Sequence, residues 1–435
     1  MDFGFTQEQQ KLIDRVNQLV QERIAPRAAQ YDQSFEAPIE DVQDLHREGW
    51  LLANLDKRRG GLGYGLHGDD PLSFFLIDEH LAYGNPSTAH CFQVHNNALM
   101  MIDAIATDVQ IQRWIEPTVK HGALIPGAGA EPHGSAPTTA KRATGGFRVS
   151  GTKHYATNAS LAEWLWIGRV TSDSHAKPIM FMMHRDTPGL KIDTEVWRPT
   201  GMRACVSPWL YLDDCFVPEE NLLGQPGQFL GENWMGKINF AFTANYLGSA
   251  RAMYDWALNY IRERGGGKDS YRQLRFGELK SMLDASRLLL YNTVRIFKTN
   301  PDGAMVAAHE AKWMAKETLE KIMEPNKPAH KITAHRPTAL IQFSSEAKIL
   351  RYVPQIDQLL NSQSLGFEIF LGSGIEHHFH VETVFLEDAG FLRHPGGNRR
   401  RSNRRIAYIE FFQLADLCAA RAPVNRNSKN ERQQL

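Results

Sequence analysis

The sequence predicts an α+β chain in three parts: helices first, a middle block of short strands, then a second set of long helices. Three observations carry this. Apolar residues recur at helical spacing through roughly the first 120 residues, alternate with polar ones in short runs from about 124 to 217, and return to helical spacing beyond 229. The bounds that follow are an N-terminal helical domain at 1–123, a β domain at 124–228 and a helical bundle at 229–415. The tail at 416–435, ending NRNSKNERQQL, has too little apolar surface to pack and is expected to be mobile.

Over residues 6–24, Leu12, Ile13, Val16, Leu19, Val20 and Ile24 share a helical face; Thr6 is placed to cap the start with Gln9 three residues on, and Pro26 to close the helix. Further helices are expected over 39–48, 71–83 and 91–106, interrupted by a loop over 57–70 whose glycines do not sustain a helix. Strands are expected over 147–153, 164–170, 179–184, 189–196 and 209–212, the spacing of a small sandwich or barrel. Gly224-Gln225-Pro226-Gly227 marks the exit from this block. Helical patterns at 233–264, 271–299, 304–323 and 342–366 then argue for a bundle, with the Pro-, Lys- and His-rich stretch 324–337 as an exposed loop. No internal repeat is visible.

Bulk composition narrows the function classes. The 49 basic and 49 acidic residues cancel, so no global field draws the chain to nucleic acid or an anionic membrane, and any anion site must be local. Cys91, Cys205, Cys215 and Cys418 have neither a zinc spacing nor a C-x-x-C pair, as expected of reduced thiols in a cytoplasmic protein. The opening MDFGFTQEQQ lacks the cationic and apolar stretches of a signal peptide, and no apolar run approaches a membrane-spanning length.

Residues 127–160, GAGAEPHGSAPTTAKRATGGFRVSGTKHYATNAS, combine a small-residue loop, a Gly-Gly turn and a polar strand. Gly127 and Gly129 carry no side chain to hold a ligand off, Glu131-Pro132 stiffens the following loop, and Gly145-Gly146 reads as a turn into an alternating strand. Such backbone suits a flat, polar ligand. By residue chemistry alone a surface hairpin would look the same.

The order of the three parts and the motifs in this stretch resemble the acyl-CoA dehydrogenase superfamily. That family shows a T-E-P-x-x-G-S-D loop followed by G-G-[YF]-x-[LVI]-x-G-x-K-x-[WFY]-[IA]-T-N; here stand Ala130-Glu131-Pro132, Gly134-Ser135 and residues 145–158. Gly201-Met202-Arg203, Val217-Pro218-Glu219-Glu220-Asn221 and Leu223-Gly224 are similar to its G-M-R segment and its exit from the β domain. The resemblance implies FAD between the β domain and the bundle, with Gly127, Ala128, Gly129, Ala130 and Ser135 along the flavin and its phosphates, and Tyr155, Ala156 and Thr157 facing the isoalloxazine ring. Thr157 would donate near N5, where hydroxyl and amide donors tune a flavin. It also implies a homodimer or homotetramer in which Arg264, before Gly265-Gly266-Gly267, reaches a neighbour's pyrophosphate, and a turn at 371–375 in which Gly372 matches the family glycine while Glu368 replaces its glutamine. Ala136 replaces the loop's aspartate.

A dehydrogenase of this family needs a carboxylate to take the α-proton of its acyl thioester, a group worth about 10²–10⁴-fold in rate. Of the family's two places for that glutamate, one reads His394-Pro395-Gly396-Gly397-Asn398 here and the other falls at Ile238. The resemblance therefore leaves three readings. One is dehydrogenation of a CoA or carrier-protein thioester with a displaced carboxylate (Glu232, Asp388 or Glu387), passing electrons to an acceptor flavoprotein. Another is a monooxygenase using reduced flavin, FAD or FMN, and oxygen; the third is a flavin- or CoA-binding member with another reaction or little catalysis. Glu376-His377-His378-Phe379-His380 is expected to be a polar interface loop rather than a metal site. His90 and His95, about 140° apart on a helix, are expected to be two separate, satisfied histidines. Arg399, Arg400, Arg401, Arg404 and Arg405 form a basic cluster open to a CoA arm or to nucleic acid, with a solvated helix start as the plainer account.

Overall fold

The computed structural model describes residues 3–323 with their side chains, and the backbone strands Gly366–Leu371 and Ile375–His380. The chain forms two compact units, 1–345 and 346–435.

The first unit opens with α1 (Gln7–Leu19), held by the expected capping box: Gln9 N–H donates to Thr6 Oγ1 and Thr6 N–H to Gln9 Oε1, each at 3.1 Å. Pro26 does not close this helix. The chain widens into a π turn at Val20–Ile24 and runs on as α2 (Ala25–Ser34), because a proline in a first turn has no N–H to satisfy. The stop comes at Phe35, whose φ of 59° is left-handed. Helices α3 (Ile39–Arg47), α4 (Pro71–Gly84), α5 (Pro86–Ile105) and α6 (Asp108–His121) complete the helical part, α6 with a second capping box on Thr107 and Gln110.

The middle part is a seven-stranded sheet in the order β1-β4-β2-β3-β7-β6, with β5 on the other side of β4. The strands are β1 (Gly127–Ala128), β2 (Thr139–Ala143), β3 (Gly146–Lys153), β4 (Trp164–Ser172), β5 (Ile179–His184), β6 (Leu190–Asp193) and β7 (Trp209–Pro218). Strands β2 and β3 form a hairpin around Gly145 (φ 78°), while β1 and β2 lie parallel to β4. A register shift between Val149 and Gly151 bends β3 against β7; a Cβ at Gly151 would come within 2.7 Å of the Thr138 backbone, so only glycine fits there. Strand β4 sorts its side chains by alternation. Leu165 and Ile167 enter the sheet's own core with Phe147, Val149 and Phe181, and Trp164 and Trp166 enter the helical core.

Beyond α7 (Gln228–Gly231), helices α8 (Trp234–Glu263), α9 (Ser270–Ile296) and α10 (Pro301–Met323) pack on one another, and α8 lies along α4. Glu79 on α4, fully buried, ties these helices together: it accepts from Arg251 on α8 at 2.7 Å and from the Tyr291 hydroxyl, and forms an ion pair with Arg287 on α9 at 2.8 Å. Burial acts to raise its pKa, but Arg287 and Arg251 outweigh it and hold Glu79 down at about 2.

In the second unit, β8 (Gly366–Leu371) and β9 (Ile375–His380) pair antiparallel, Gly366 opposite His380. This corrects two expectations: Gly366 begins a strand rather than ending a helix, and residues 376–380 form a strand, not a loop. Along β9, Glu376, His378 and His380 alternate with His377 and Phe379 at the strand period of two. The remainder of the expected helix 342–366, the expected loop 324–337, residues 372–374, His394, the arginine cluster and the tail lie outside the described residues.

Candidate functional site

Backbone from β1 and from the end of β3 meets at one edge of the sheet. His154 N–H donates to Ala130 O at 3.1 Å, joining the Gly127–Ala130 run to the strand exit, and Gly127 sits opposite Trp166 of β4. Along this run Ala128 and Ala130 are buried while Gly127, Gly129 and Glu131 are partly exposed, so alternate residues form a wall of backbone and small groups. Gly127 has a packing reason as well, since a Cβ there would press on the Trp166 ring at 3.2 Å.

The loop beyond the wall is pinned from within. Lys153, fully buried at the end of β3, donates to Glu131 Oε1 at 2.7 Å, and the same oxygen accepts Thr138 N–H at 2.8 Å. Burial pushes the lysine down; Glu131 resists that shift and is itself held below the usual carboxylate range by Lys153 and Thr138, against its own burial. Ser135 stands exposed in a turn with Gly134 (φ 75°), its hydroxyl donating to Pro132 O at 2.7 Å.

After Lys153 the chain makes a sharp corner. Tyr155 (φ 50°) and Asn158 (φ 78°) are both left-handed, and the corner is clamped by Ala156 N–H to Pro208 O at 3.1 Å, Asn158 N–H to Val206 O at 3.3 Å and Asn158 Nδ2 to Cys91 O at 2.8 Å. Tyr155 is partly exposed, its ring tilted 50° to that of His154 with centroids 4.2 Å apart, and Ala156 is buried. The Thr157 hydroxyl lies 2.7 Å from Ser207 Oγ and 3.5 Å from His90 Nε2. Asn158 Oδ1 and Ser160 Oγ, buried beside the corner, find no partner among the described residues. Partly exposed backbone, a ring, hydroxyls and orphaned oxygens are a donor set that fits a flat, polar heterocycle.

The structure brings Gly127, Ala128, Gly129, Ala130, Tyr155, Ala156 and Thr157 into this one wall, with Ser135 on the adjoining loop. It places other candidates elsewhere. Arg264 is exposed at the C-terminal end of α8, its guanidinium 3.6 Å above the Tyr260 ring. Glu232 is exposed at the end of α7, accepting from Gln228 Nε2 at 2.6 Å and Trp234 Nε1 at 3.1 Å. Glu368 lies opposite His378 in the hairpin, and Gly372, Glu387 and Asp388 fall outside the described residues. Two surface clefts, of about 190 Å³ beside Arg113 and Phe216 and about 250 Å³ beside His121 and Arg185, are lined by none of the wall residues.

Sequence reasoning treats His90 and His95 alike and passes over Gln93 and Asp78. His95 is a satisfied core histidine as expected, with Leu51 O at 2.8 Å and Ile125 N–H at 2.8 Å on its two nitrogens. His90 is different: partly exposed, it joins Thr157 on one side and Gln93 on the other, and Gln93 leads to the buried Asp78. No spacing in the sequence signals a contact between residues 90 and 157.

Residues 6–121 match the family model for the acyl-CoA dehydrogenase N-terminal domain, and residues 126–215 the model for its middle domain. The benzylmalonyl-CoA dehydrogenase of Aromatoleum aromaticum is 26% identical over 82% of this chain and 94% of its own. Among solved structures, butyryl-CoA dehydrogenase from Megasphaera elsdenii superposes with a TM-score of 0.71 at 21% identity, over 82% of this chain and 98% of that one. Dibenzothiophene monooxygenase from Paenibacillus sp. A11-2 does so with a TM-score of 0.68 at 18% identity, over 80% and 95%. Residues 6–121 and 126–215 are thus the N-terminal and middle domains of the acyl-CoA dehydrogenase superfamily, and the homologues of the chain are flavin-dependent oxidoreductases.

Proposed function

We propose that a flavin, FAD by the family's habit, lies along Gly127–Ala130 and the Tyr155–Thr157 corner, and that the protein removes hydrogen across the α and β carbons of an acyl thioester. The observation that carries the flavin is the joining of the small-residue run to the corner through Ala130 and His154, which sets the partly exposed Gly127, Gly129 and Tyr155 along one edge of the sheet with the Thr157 hydroxyl beneath it. The thioester rests on the relatives, which act on CoA esters by name. Bound there, the flavin supplies an acceptor for two electrons. The chain's own part is to hold the ring flat against backbone, keep the Glu131 loop folded through Lys153, and exclude water at the buried corner. Arg264, Glu368 and Gly372 serve a neighbouring subunit's site, which makes the working unit a homodimer or homotetramer; a flavoprotein takes the electrons onward.

A second reading, flavin monooxygenation with FAD or FMN, is favoured by one observation: Glu232 is exposed at the end of α7 and bound to Gln228 and Trp234, while Ile238 and the stretch His394-Pro395-Gly396-Gly397-Asn398 stand where the family has its base. The test is direct. The purified protein is yellow and releases FAD or FMN on denaturation; anaerobic butanoyl-, octanoyl- or aryl-acyl-CoA bleaches it if the first reading holds. An absence of bleaching, with oxygen-dependent hydroxylation of an aromatic probe when reduced flavin is supplied, sinks the first reading in favour of the second. A colourless protein that takes up neither flavin ends both.

A further inference from the structure

Behind the proposed flavin wall, four side chains from two helices and the β domain, Asp78, Gln93, His90 and Thr157, form a line. With the Gln93 amide on α5 assigned by its hydrogen-bond partners, its nitrogen lies 3.3 Å from Ala241 O on α8 and 3.2 Å from Asp78 Oδ2 on α4, and its oxygen 3.2 Å from His90 Nδ1. This orientation is the one that satisfies all three neighbours, because the Ala241 carbonyl can only accept. It puts the proton of the neutral imidazole on Nδ1 and leaves Nε2 as the acceptor, an assignment made from the hydrogen-bond pattern.

Nε2 faces Thr157 Oγ1 at 3.5 Å, but that hydroxyl has a better acceptor. Ser207 commits its single hydrogen to Cys205 O at 2.7 Å, so Ser207 Oγ accepts from Thr157 at 2.7 Å. The Nε2 lone pair therefore remains for a proton brought by a ligand. His90 is partly exposed, with the Phe242 ring of α8 packed 5.6 Å from its own and Lys312 of α10 above that ring. Asp78, fully buried, has a second carboxyl oxygen with no partner among the described residues, so its attachment to Gln93 is its visible employment.

We propose that His90 Nε2 is the proton acceptor of this site, held in the accepting tautomer by Gln93 and Asp78 as positioning residues, and that it takes the α-proton of the thioester for which the family's glutamate positions are not acidic. The proposal rests on the thioester reading above. In the step, the α-C–H bond breaks, the Nε2–H bond forms, and the electron pair moves into the thioester carbonyl as an enolate; imidazole becomes imidazolium and no electron leaves the substrate. Burial pushes His90 down to about 4, so the imidazole is neutral at physiological pH and about as basic as an ordinary glutamate, usually about 4.3. Asp78 Oδ2 accepts from Gln93 whether or not its other oxygen carries a proton, so the burial that holds Asp78 well above the usual range does not break the line.

The proton step is separable from oxidation. Flavin-loaded protein, pre-reduced with dithionite under argon so that no turnover occurs, is incubated with butanoyl-CoA in D2O, and mass spectrometry follows deuterium entering the α-carbon. Wild type exchanges; His90→Gln loses about 10²-fold or more with flavin still bound by absorbance, and added imidazole partly restores exchange in His90→Ala. Gln93→Leu and Asp78→Leu lose exchange by about tenfold, whereas Asp78→Asn, which still presents an oxygen to Gln93, stays within a few-fold of wild type. Exchange at the wild-type rate in flavin-loaded His90→Gln overturns the proposal while leaving the thioester reading intact if butanoyl-CoA still bleaches the oxidised flavin. A wild-type protein that holds flavin and yields no exchange overturns both the base and the thioester.

Discussion

Asp78 and Glu79 are neighbours on α4, both fully buried, and they live in opposite electrostatic surroundings. Successive residues on a helix point about 100° apart, so one faces α9 and its arginine while the other faces α5 and an amide. Glu79 meets Arg251, Arg287 and Tyr291 and is held ionised; Asp78 meets Gln93, and burial followed by the nearby Glu79 drives its pKa far up. The first cluster closes on itself and joins helices. The second has an open end at His90. A buried charge that is fully partnered is structure, whereas a line of polar groups that stops at an unused lone pair invites a ligand.

The largest effect should come from breaking the closed cluster. Glu79→Gln leaves two arginines largely buried without a counter-charge, and a cost of about 3–5 kcal/mol is expected from such half-broken pairs. Urea unfolding checks it, and Glu79→Gln with Arg287→Met should recover part of the loss by removing one stranded cation.

Lys153→Met probes a pair of intermediate closure. Glu131, unlike Glu79, keeps about a quarter of its side chain in solvent (26%), so it can rehydrate when the lysine is gone. The expected loss is about 1–3 kcal/mol, together with weaker flavin retention because the loop beyond the wall loses its pin. Thermal melting and flavin release on heating read the two effects separately. Unchanged flavin release in a destabilised variant would separate the loop from the proposed wall.

Stability against pH should show the two kinds of carboxylate with opposite sign. Glu79, about 2 folded against 4.5 unfolded, contributes stability present above pH 4.5 and lost as pH falls towards 2. Asp41, fully buried between Thr88 and Arg27, is pushed up to about 6 from 3.8, chiefly by burial. Its folded form binds the proton more tightly, so its contribution is full below pH 3.8 and disappears as pH rises through about 6. Unfolding free energies between pH 4 and 6 should therefore flatten in Asp41→Asn, and a slope identical to wild type would show that Asp41 is not the group titrating there.

Much of the fold was legible from periodicity and caps. Thr6 with Gln9, the turn at Gly145 and the alternation through 147–153 and 164–170 all describe local geometry, and local geometry is what spacing encodes. The wall was legible for the same reason, since its residues lie in two short stretches with small side chains and a polar strand. What escaped depends on partners distant in sequence. Pro26 does not stop the helix, because a π turn that leaves no compositional mark realigns it. Strand β2, TAKRA, is too polar to stand out and exists because β3 and β4 flank it. His90 looked like His95 in the sequence; contacts with residues 157 and, through Gln93, 78 distinguish them.

The smallest stability effect belongs to Asp78→Asn, and its smallness is what sharpens the contrast with Glu79. If burial keeps the Asp78 carboxyl largely protonated, the native protein already carries a neutral group of nearly the same shape there, and an amide oxygen can accept from Gln93 as Oδ2 does. The change should cost within about 1 kcal/mol, because no charge is stranded and no hydrogen bond to Gln93 is lost. Urea unfolding of Asp78→Asn beside Glu79→Gln, one residue apart on the same helix, is the measurement. A loss of several kcal/mol in Asp78→Asn would mean that Asp78 is ionised and strongly partnered, and the distinction between the closed cluster and the open line would collapse.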